Sequence, residues 1–267
     1  MSLVPEPKQA LYIPRFEDMT MLIYGEQGAG KTSFFSGEDD PLICAVEPGS
    51  DFVNGRVVPI HDWATFCQLV QDIYQVKCKT PHLISSVVID IIDGLYSLCE
   101  AHVCSLHGVN TIKDVGGWGA GHAEVKKAFT DWVTSLYQLV PIRFITHQTD
   151  EEYEVVNDAG LIEKRQKKTA QFNGKKGELV RGWCQLVGHM FVNQNDKHTI
   201  TFKKYGSKLT KDRTGIFDQI GDIELPANTG LAIQDKLDGF PFVEKLFEEK
   251  AVELNLQLMN HRRPRND

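Results

Sequence analysis

The chain has no apolar run approaching the roughly 18 residues that a membrane-spanning helix needs, and its first residues, MSLVPEPKQA, lack the basic and apolar regions of a signal peptide. The expectation is a soluble, cytoplasmic protein with no membrane contact. Cysteine is sparse. The six in 267 residues (Cys44, Cys67, Cys78, Cys99, Cys104 and Cys184) fall in stretches that read as strands and helices. A chain this long does not need stapling, so reduced thiols are expected rather than a disulfide framework. Positive charge is also in deficit: 29 Lys and Arg stand against 36 Asp and Glu, a formal charge of −7. That excludes a uniformly basic nucleic-acid coat and leaves room only for a local basic element. No internal repeat is present. A hydrophobic fraction of 42% and a charged fraction of 24% allow one sizeable core.

Met21 to Tyr24 is a short apolar run that ends at Gly25, followed by a glycine-rich turn and by Lys31 to Phe35, which opens a helix. A second buried strand, Leu42 to Val46, stops at Glu47-Pro48-Gly49. Asp62 caps a helix in which Trp63, Phe66, Leu69, Val70 and Ile73 form one apolar face, closed by Pro81. Val87 to Ile92 is β-branched except for Asp90, as suits a strand covered on both faces, and a helix from about Asp93 to His107 follows. Gly108 to Gly121, with Gly116, Gly117, Gly119 and Gly121 around Trp118, is too rich in glycine for a helix or strand and reads as a mobile loop. Phe129, Trp132, Val133, Leu136 and Leu139 mark another helix, and Pro141 leads into the strand Ile142 to Thr146.

Strands alternating with helices predict an α/β fold with a doubly wound, mainly parallel sheet. From Glu151 onward two hairpins are expected, one turning at Asn157-Asp158 and Gly160, the other running from His189 to Tyr205 and turning near Asn195-Asp196. These late strands read as antiparallel. The tail, Phe242 to Met259, has a helical apolar face and ends in His261-Arg262-Arg263-Pro264-Arg265. The expected organisation is a core over residues 1–230 and a helical appendage with a basic tail over residues 231–267.

Gly25-Glu26-Gln27-Gly28-Ala29-Gly30-Lys31-Thr32 satisfies the phosphate-cradle pattern G-x-x-x-x-G-K-[ST] between a strand and a helix, with Ser33 as the next residue. Its glycines let backbone N–H groups curl around a β-phosphate. Lys31 reaches the β- and γ-phosphates, and the Thr32 hydroxyl is a ligand for Mg²⁺. By residue frequencies the pattern arises by chance in about one chain of this length in a hundred. A second carboxylate for the metal is needed on a nearby strand, and Asp90, ending Val87-Val88-Ile89, supplies it. Asp93 is read as a helix cap or a second functional acid.

With these residues the sequence resembles the RecA-like P-loop ATPases, and among them the phage AAA-type proteins that include single-strand annealing and recombination ATPases. The resemblance spans roughly residues 18–218. It implies that Glu47 is the base that polarises the attacking water, and that His147 or Gln148, at the end of Phe144-Ile145-Thr146, senses the γ-phosphate. It further implies two DNA-binding segments: the loop around Trp118, suited to base stacking, and the stretch with Lys164, Arg165, Lys167, Lys168, Lys175, Lys176 and Arg181 against Glu178. Lys211 and Arg213, in Ser207 to Gly215, are similar to the element that RecA-like hexameric helicases insert into a neighbour's ATP site.

The expected function is ATP hydrolysis by a homo-oligomer, ring or filament, acting on single-stranded DNA in recombination, annealing or replication. Alternatives are a nucleotide-gated module for DNA packaging or helicase loading, and a small-molecule kinase. The P-loop helix departs from the better-known recombinases in being cut short by Gly37 and Asp39-Asp40-Pro41. Zinc is disfavoured, because Cys99, His102, Cys104 and His107 spread over about 200° of a helix. Asn193-Gln194-Asn195-Asp196 lacks the lysine of a guanine-reading motif, which leaves ATP as the nucleotide.

Overall fold

Short runs such as Met21–Tyr24 and Val87–Ile89 are apolar at every position, so as strands they bury both faces and need helices above and below. The computed structural model describes residues 12–47, 55–156, 161–226 and 239–258 and has this layering. Its first half comprises β1 (Tyr12–Ile13), β2 (Met21–Gly25), α1 (Lys31–Ser36), β3 (Leu42–Ala45), β4 (Arg56–Pro59), α2 (Trp63–Lys79), β5 (Val87–Asp90) and α3 (Ile92–His107). Then come α4 (Ala120–Tyr137), β6 (Ile142–Val156), β7 (Ile162–Ala170), α5 (Gly174–Trp183), β8 (Leu186–Val192) and β9 (His198–Thr201). The described chain closes with β10 (Lys211–Asp212), α6 (Ile216–Ile220), β11 (Ile223–Glu224), α7 (Gly239–Glu253) and β12 (Gln257–Leu258).

The main path of the sheet is β11-β9-β8-β2-β6-β5-β3-β4, and the pairings from β8 to β4 are parallel. Alternation along each strand divides the core in two. Leu22, Tyr24, Ile89, Phe144 and Val187 pack against Phe66, Leu95 and Phe129 of α2, α3 and α4. Met21, Ile23, Val88 and Ile145 pack on the other face against Phe34, Phe217 and Phe247 of α1, α6 and α7. The sheet is therefore doubly wound, as the sequence predicts. Asp62 caps α2 by accepting a hydrogen bond from Thr65 N at 2.7 Å. Among the described residues no helix is long and apolar enough to cross a membrane.

Several expectations need correction. The strand after Pro141 does not end at Thr146. It runs 15 residues, to Val156, and pairs antiparallel with β7 as a two-stranded arm whose expected turn, Asn157 to Gly160, lies outside the described residues. β8 is parallel to β2 rather than part of an antiparallel pair alone, because α5 forms a crossover between β7 and β8. Among the described residues β9, β10 and β11, besides β7 of the arm, pair antiparallel. β4 escapes the sequence pattern because it is an edge strand with only Val57 and Val58 as apolar residues and a proline at its end.

The glycine-rich stretch is built rather than featureless. A 3-10 turn spans Ile112–Asp114, Ile112 and Val115 are buried, and a Cβ at Gly121 in the first turn of α4 would lie 2.5 Å from the Ile112 carbonyl oxygen. The carboxy-terminal helix is likewise not an appendage. Phe240, Val243, Phe247 and Ala251 of α7 are buried in the same core as Phe16 and Phe34, and β12 pairs parallel with β1. The basic tail from His261 to Arg265 lies outside the described residues.

Arg143 on β6 is fully buried. Its Nε donates to Glu38 Oε1 at 2.6 Å, its Nη2 to Glu38 Oε2 at 3.0 Å and to the Glu17 carbonyl at 2.7 Å, and its Nη1 to the Met19 carbonyl. The guanidinium carbon lies 5.4 Å from the Phe240 ring centroid, so one buried ion pair joins β6, the end of α1, the segment before β2 and α7. Breaking such a pair leaves the other charge buried, whereas replacing both halves with apolar groups is close to neutral. Arg143→Met should destabilise the fold by about 3–5 kcal/mol, with Arg143→Met/Glu38→Leu recovering most of the loss, as read by urea denaturation.

Candidate active site

Parallel strands present their carboxyl ends at one edge of the sheet, and the sequence places its chemistry there. β2 ends at Gly25, in register with His147 on β6 and Met190 on β8. A Cβ on Gly25 would sit 2.0 Å from the Met190 carbonyl oxygen, so glycine alone fits. Gly28 and Gly30 have φ of 80° and 92°, the left-handed conformation that turns the loop back into α1. Successive backbone N–H groups in such a turn make an anion-binding concavity. Lys31, buried at the start of α1, donates from Nζ to the Gly25 carbonyl at 3.0 Å and the Glu26 carbonyl at 2.8 Å. Burial pushes its pKa down, against the pull of the Asp90 and Glu47 carboxylates.

Thr32 Oγ1 donates to Asp90 Oδ2 at 2.7 Å, which makes Asp90 the carboxylate partner of the P-loop hydroxyl. Burial pushes the Asp90 pKa up, opposed by the Thr32 hydrogen bond and the Lys31 charge. The peptide bond between Asp90 and Ile91 is cis. Val46 N donates to the Asp90 carbonyl at 2.7 Å, which holds the end of β3 beside β5 and sets Glu47 at the mouth of the site. Glu47 Oε2 lies 3.7 Å from His147 Nε2.

The two candidate sensors separate in space. His147 faces Glu47, whereas Gln148 Nε2 donates to Glu26 Oε1 at 3.4 Å and Gln148 Oε1 lies 2.6 Å from His189 Nε2. Asp93 is not the helix cap: Ile91 occupies the N-cap position of α3 without a side-chain bond. Instead Thr146 Oγ1 donates to Asp93 and accepts from Phe172 N at 3.2 Å, which ties β6 and the base of the arm to α3. Burial pushes the Asp93 pKa up.

Lys211 and Arg213 do not join this group. Lys211 and Asp212 pair with Val187 and Leu186, at the start of β8, while the P-loop lies beside Met190 farther along the same strand. Lys211 Nζ donates to the Arg181 carbonyl and Arg213 Nη2 to the Gly182 carbonyl at 2.9 Å, so both cap the carboxyl end of α5. They project from one side, as two-residue spacing predicts, and within the single chain both reach the end of α5 rather than its own P-loop.

The basic segment also differs from its sequence reading, which took it as an isolated positive stretch. Lys164, Arg165, Lys167 and Lys168 lie on β7 opposite Glu154, Tyr153, Glu151 and Asp150 of β6. Lys164 pairs with Glu152 at 2.7 Å, Arg165 with Glu163 at 3.3 Å, and Lys168 with Glu26 of the P-loop at 3.7 Å. The arm therefore carries its own counter-charges. Lys176 packs 4.8 Å from the Tyr96 ring and 4.9 Å from the Phe172 ring, Lys175 is exposed on α5, and Arg181 donates to Asn173 Oδ1 at 3.3 Å. Trp118 stands fully exposed with a φ of 58°.

A glycine-built cradle at the end of a central parallel strand, with Lys31, Thr32 and an aspartate on a nearby strand, defines a P-loop NTPase. Residues 17–214 match the AAA-domain family, and the chain belongs to it. A search of curated proteins finds no match.

Lys31→Ala should abolish nucleotide hydrolysis, because the γ-phosphate loses its principal cation. Arg213→Ala should keep its turnover and lose only about 1 kcal/mol of stability, the worth of a terminal helix contact. Phosphate release and thermal melting of the two variants check both statements, and a dead Arg213→Ala enzyme would return the residue to the active site.

Proposed function

We propose that the protein hydrolyses ATP and uses the cycle to act on single-stranded DNA, in recombination, annealing or replication, as a homo-oligomer. The observation that carries hydrolysis is the convergence of Lys31, Thr32, Asp90, Glu47 and His147 at the carboxyl ends of β2, β3, β5 and β6. Thr32 Oγ1 and Asp90 are hard oxygen donors already directed at each other, a set that fits Mg²⁺, which when bound neutralises phosphate charge. The backbone of residues 26–30 and Lys31 hold the phosphates. Glu47 takes the proton of the attacking water as its oxygen bonds to the γ-phosphorus, and the bond to the β–γ bridging oxygen breaks to release ADP. His147 and Gln148 offer hydrogen bonds to the γ-phosphate oxygens.

On the flank away from Asp90, a cavity of about 200 Å³ is lined by Gly28, Gly30, Ser33, Phe34, Met190 and His198. The apolar walls suit a purine. His198 Nδ1 lies 3.0 Å from the Ala29 carbonyl, which only accepts, so Nδ1 carries the proton and Nε2 is left as an acceptor.

The reading of DNA as ligand rests on β6, which passes without a break from the γ-phosphate side at Gln148 into the arm that carries Lys164, Arg165, Lys167 and Lys168. Exposed Trp118 adds a stacking surface. The cross-strand acids of the arm favour a second reading, in which the arm grips a protein partner and ATP acts as a switch.

Glu47→Gln should bind ATP and turn it over at least about 100-fold more slowly, the worth of a general base. Single-stranded DNA should stimulate hydrolysis by the wild type. Neutralising Lys164, Arg165, Lys167 and Lys168 together should weaken DNA binding and flatten its salt dependence by up to about three to four counterions. A wild-type salt slope, or hydrolysis indifferent to DNA, would favour the partner-gated reading.

A further inference from the structure

His189, on β8, lies outside every role described above, yet it is 2% exposed and touches the site. Its Nε2 lies 2.6 Å from Gln148 Oε1, while the other end of the Gln148 amide reaches Glu26 on the P-loop. A carboxylate only accepts, so the Glu26 contact requires the Gln148 amide nitrogen, and the oxygen is thereby turned toward His189. The Nε2 of His189 is then the donor. Its Nδ1 has no hydrogen-bond partner among the described residues, consistent with one proton on the ring. Burial, with Lys208 and Lys168 nearby, pushes the His189 pKa down to about 3, so the ring is neutral near pH 7.

The ring has little freedom to turn. It lies 4.9 Å from the Tyr24 ring, and stacks at 5.0 Å and 12° on Phe191. Phe191 in turn lies under Lys208 Nζ at 4.1 Å. Tyr24 is fixed at its far end, where its hydroxyl donates to the Lys168 carbonyl at 3.1 Å and accepts from Leu209 N at 2.9 Å. Through these contacts the P-loop strand, β7 of the arm and the segment before β10 all bear on one imidazole.

We propose that His189 is a positioning residue for the γ-phosphate contact: its Nε2–H holds the Gln148 carbonyl oxygen and so presents the Gln148 amide nitrogen to the P-loop. A primary amide has two ends of nearly equal size and opposite hydrogen-bonding character. If it flips, an acceptor faces the phosphate in place of a donor. Holding a transition-state donor in place in advance raises kcat and leaves ground-state ATP binding unchanged. The proposal rests on the reading of Gln148 as a γ-phosphate ligand.

The test is a cycle of variants in ATP hydrolysis. His189→Phe keeps a ring between Tyr24 and Phe191 and removes the donor. It should lower kcat about five- to tenfold, the worth of one hydrogen bond, with KM for ATP unchanged. His189→Gln, which restores a donor, should recover much of the loss. The double variant His189→Phe/Gln148→Ala should be no slower than Gln148→Ala alone. Binding of a fluorescent ATP analogue, measured directly, shows that each variant is folded around its P-loop. Full kcat in His189→Phe, a matching rise in KM, or losses that multiply in the double variant would overturn the proposal. The underlying reading fails in a different way: Gln148→Ala would then turn over like the wild type while Lys31→Ala stays inactive.

Discussion

The hydrogen bond between Thr32 and Asp90 joins the first turn of α1 to the end of β5, two elements 58 residues apart. Its formation requires the ends of β2 and β5 to lie at one level, although the two strands are not neighbours. β6 runs between them and sets that level by pairing Gly25 with His147 and Asp90 with Ile145. Slipping a strand by one residue exchanges its two faces, and these strands bury both, so the packing on α2 to α4 below and α1, α6 and α7 above fixes the register tightly. The site's geometry is thus a consequence of the core rather than a separate arrangement placed upon it.

β6 is the element on which the fold and the site meet. At its start Arg143 neutralises Glu38 inside the core. In its middle Thr146 bonds Asp93, at the sheet edge His147 and Gln148 diverge toward Glu47 and Glu26, and beyond the sheet it becomes half of the arm. β6 is thus one continuous strand from the sheet edge into the arm, and the proposed coupling of nucleotide chemistry to a ligand on the arm rests on that continuity.

The central architecture was legible in the sequence because buried parallel strands carry an unbroken apolar signal. Met21 to Tyr24 and Val87 to Ile89 are such runs. The P-loop and Asp90 were legible because their chemistry tolerates few residue types. The rest depended on what the chain meets far along its sequence. Arg143 reads as an interruption of an apolar strand until Glu38 is found beside it. Lys164 to Lys168 look like an isolated positive charge until β6 lays Asp150, Glu151 and Glu154 opposite. Lys211 and Arg213 have the spacing of a finger, and nothing in the sequence announces that the carbonyls of α5 accept from both within the chain. His189 carries no sequence signal at all, since a histidine in a strand next to apolar residues is ordinary, and only its distance from Gln148 marks it.

On the proposed reading a single metal-assisted nucleotide site is built where β2, β5 and β6 end, with Thr32 and Asp90 as its oxygen donors. The most direct test is equilibrium titration of ATP with and without Mg²⁺, in the wild type and in Asp90→Asn. Mg²⁺ should tighten wild-type binding by at least about tenfold, a coupling of roughly 1.4 kcal/mol, and Asp90→Asn should lose this dependence while still binding ATP through Lys31. Equal response to Mg²⁺ in the two proteins would contradict that reading.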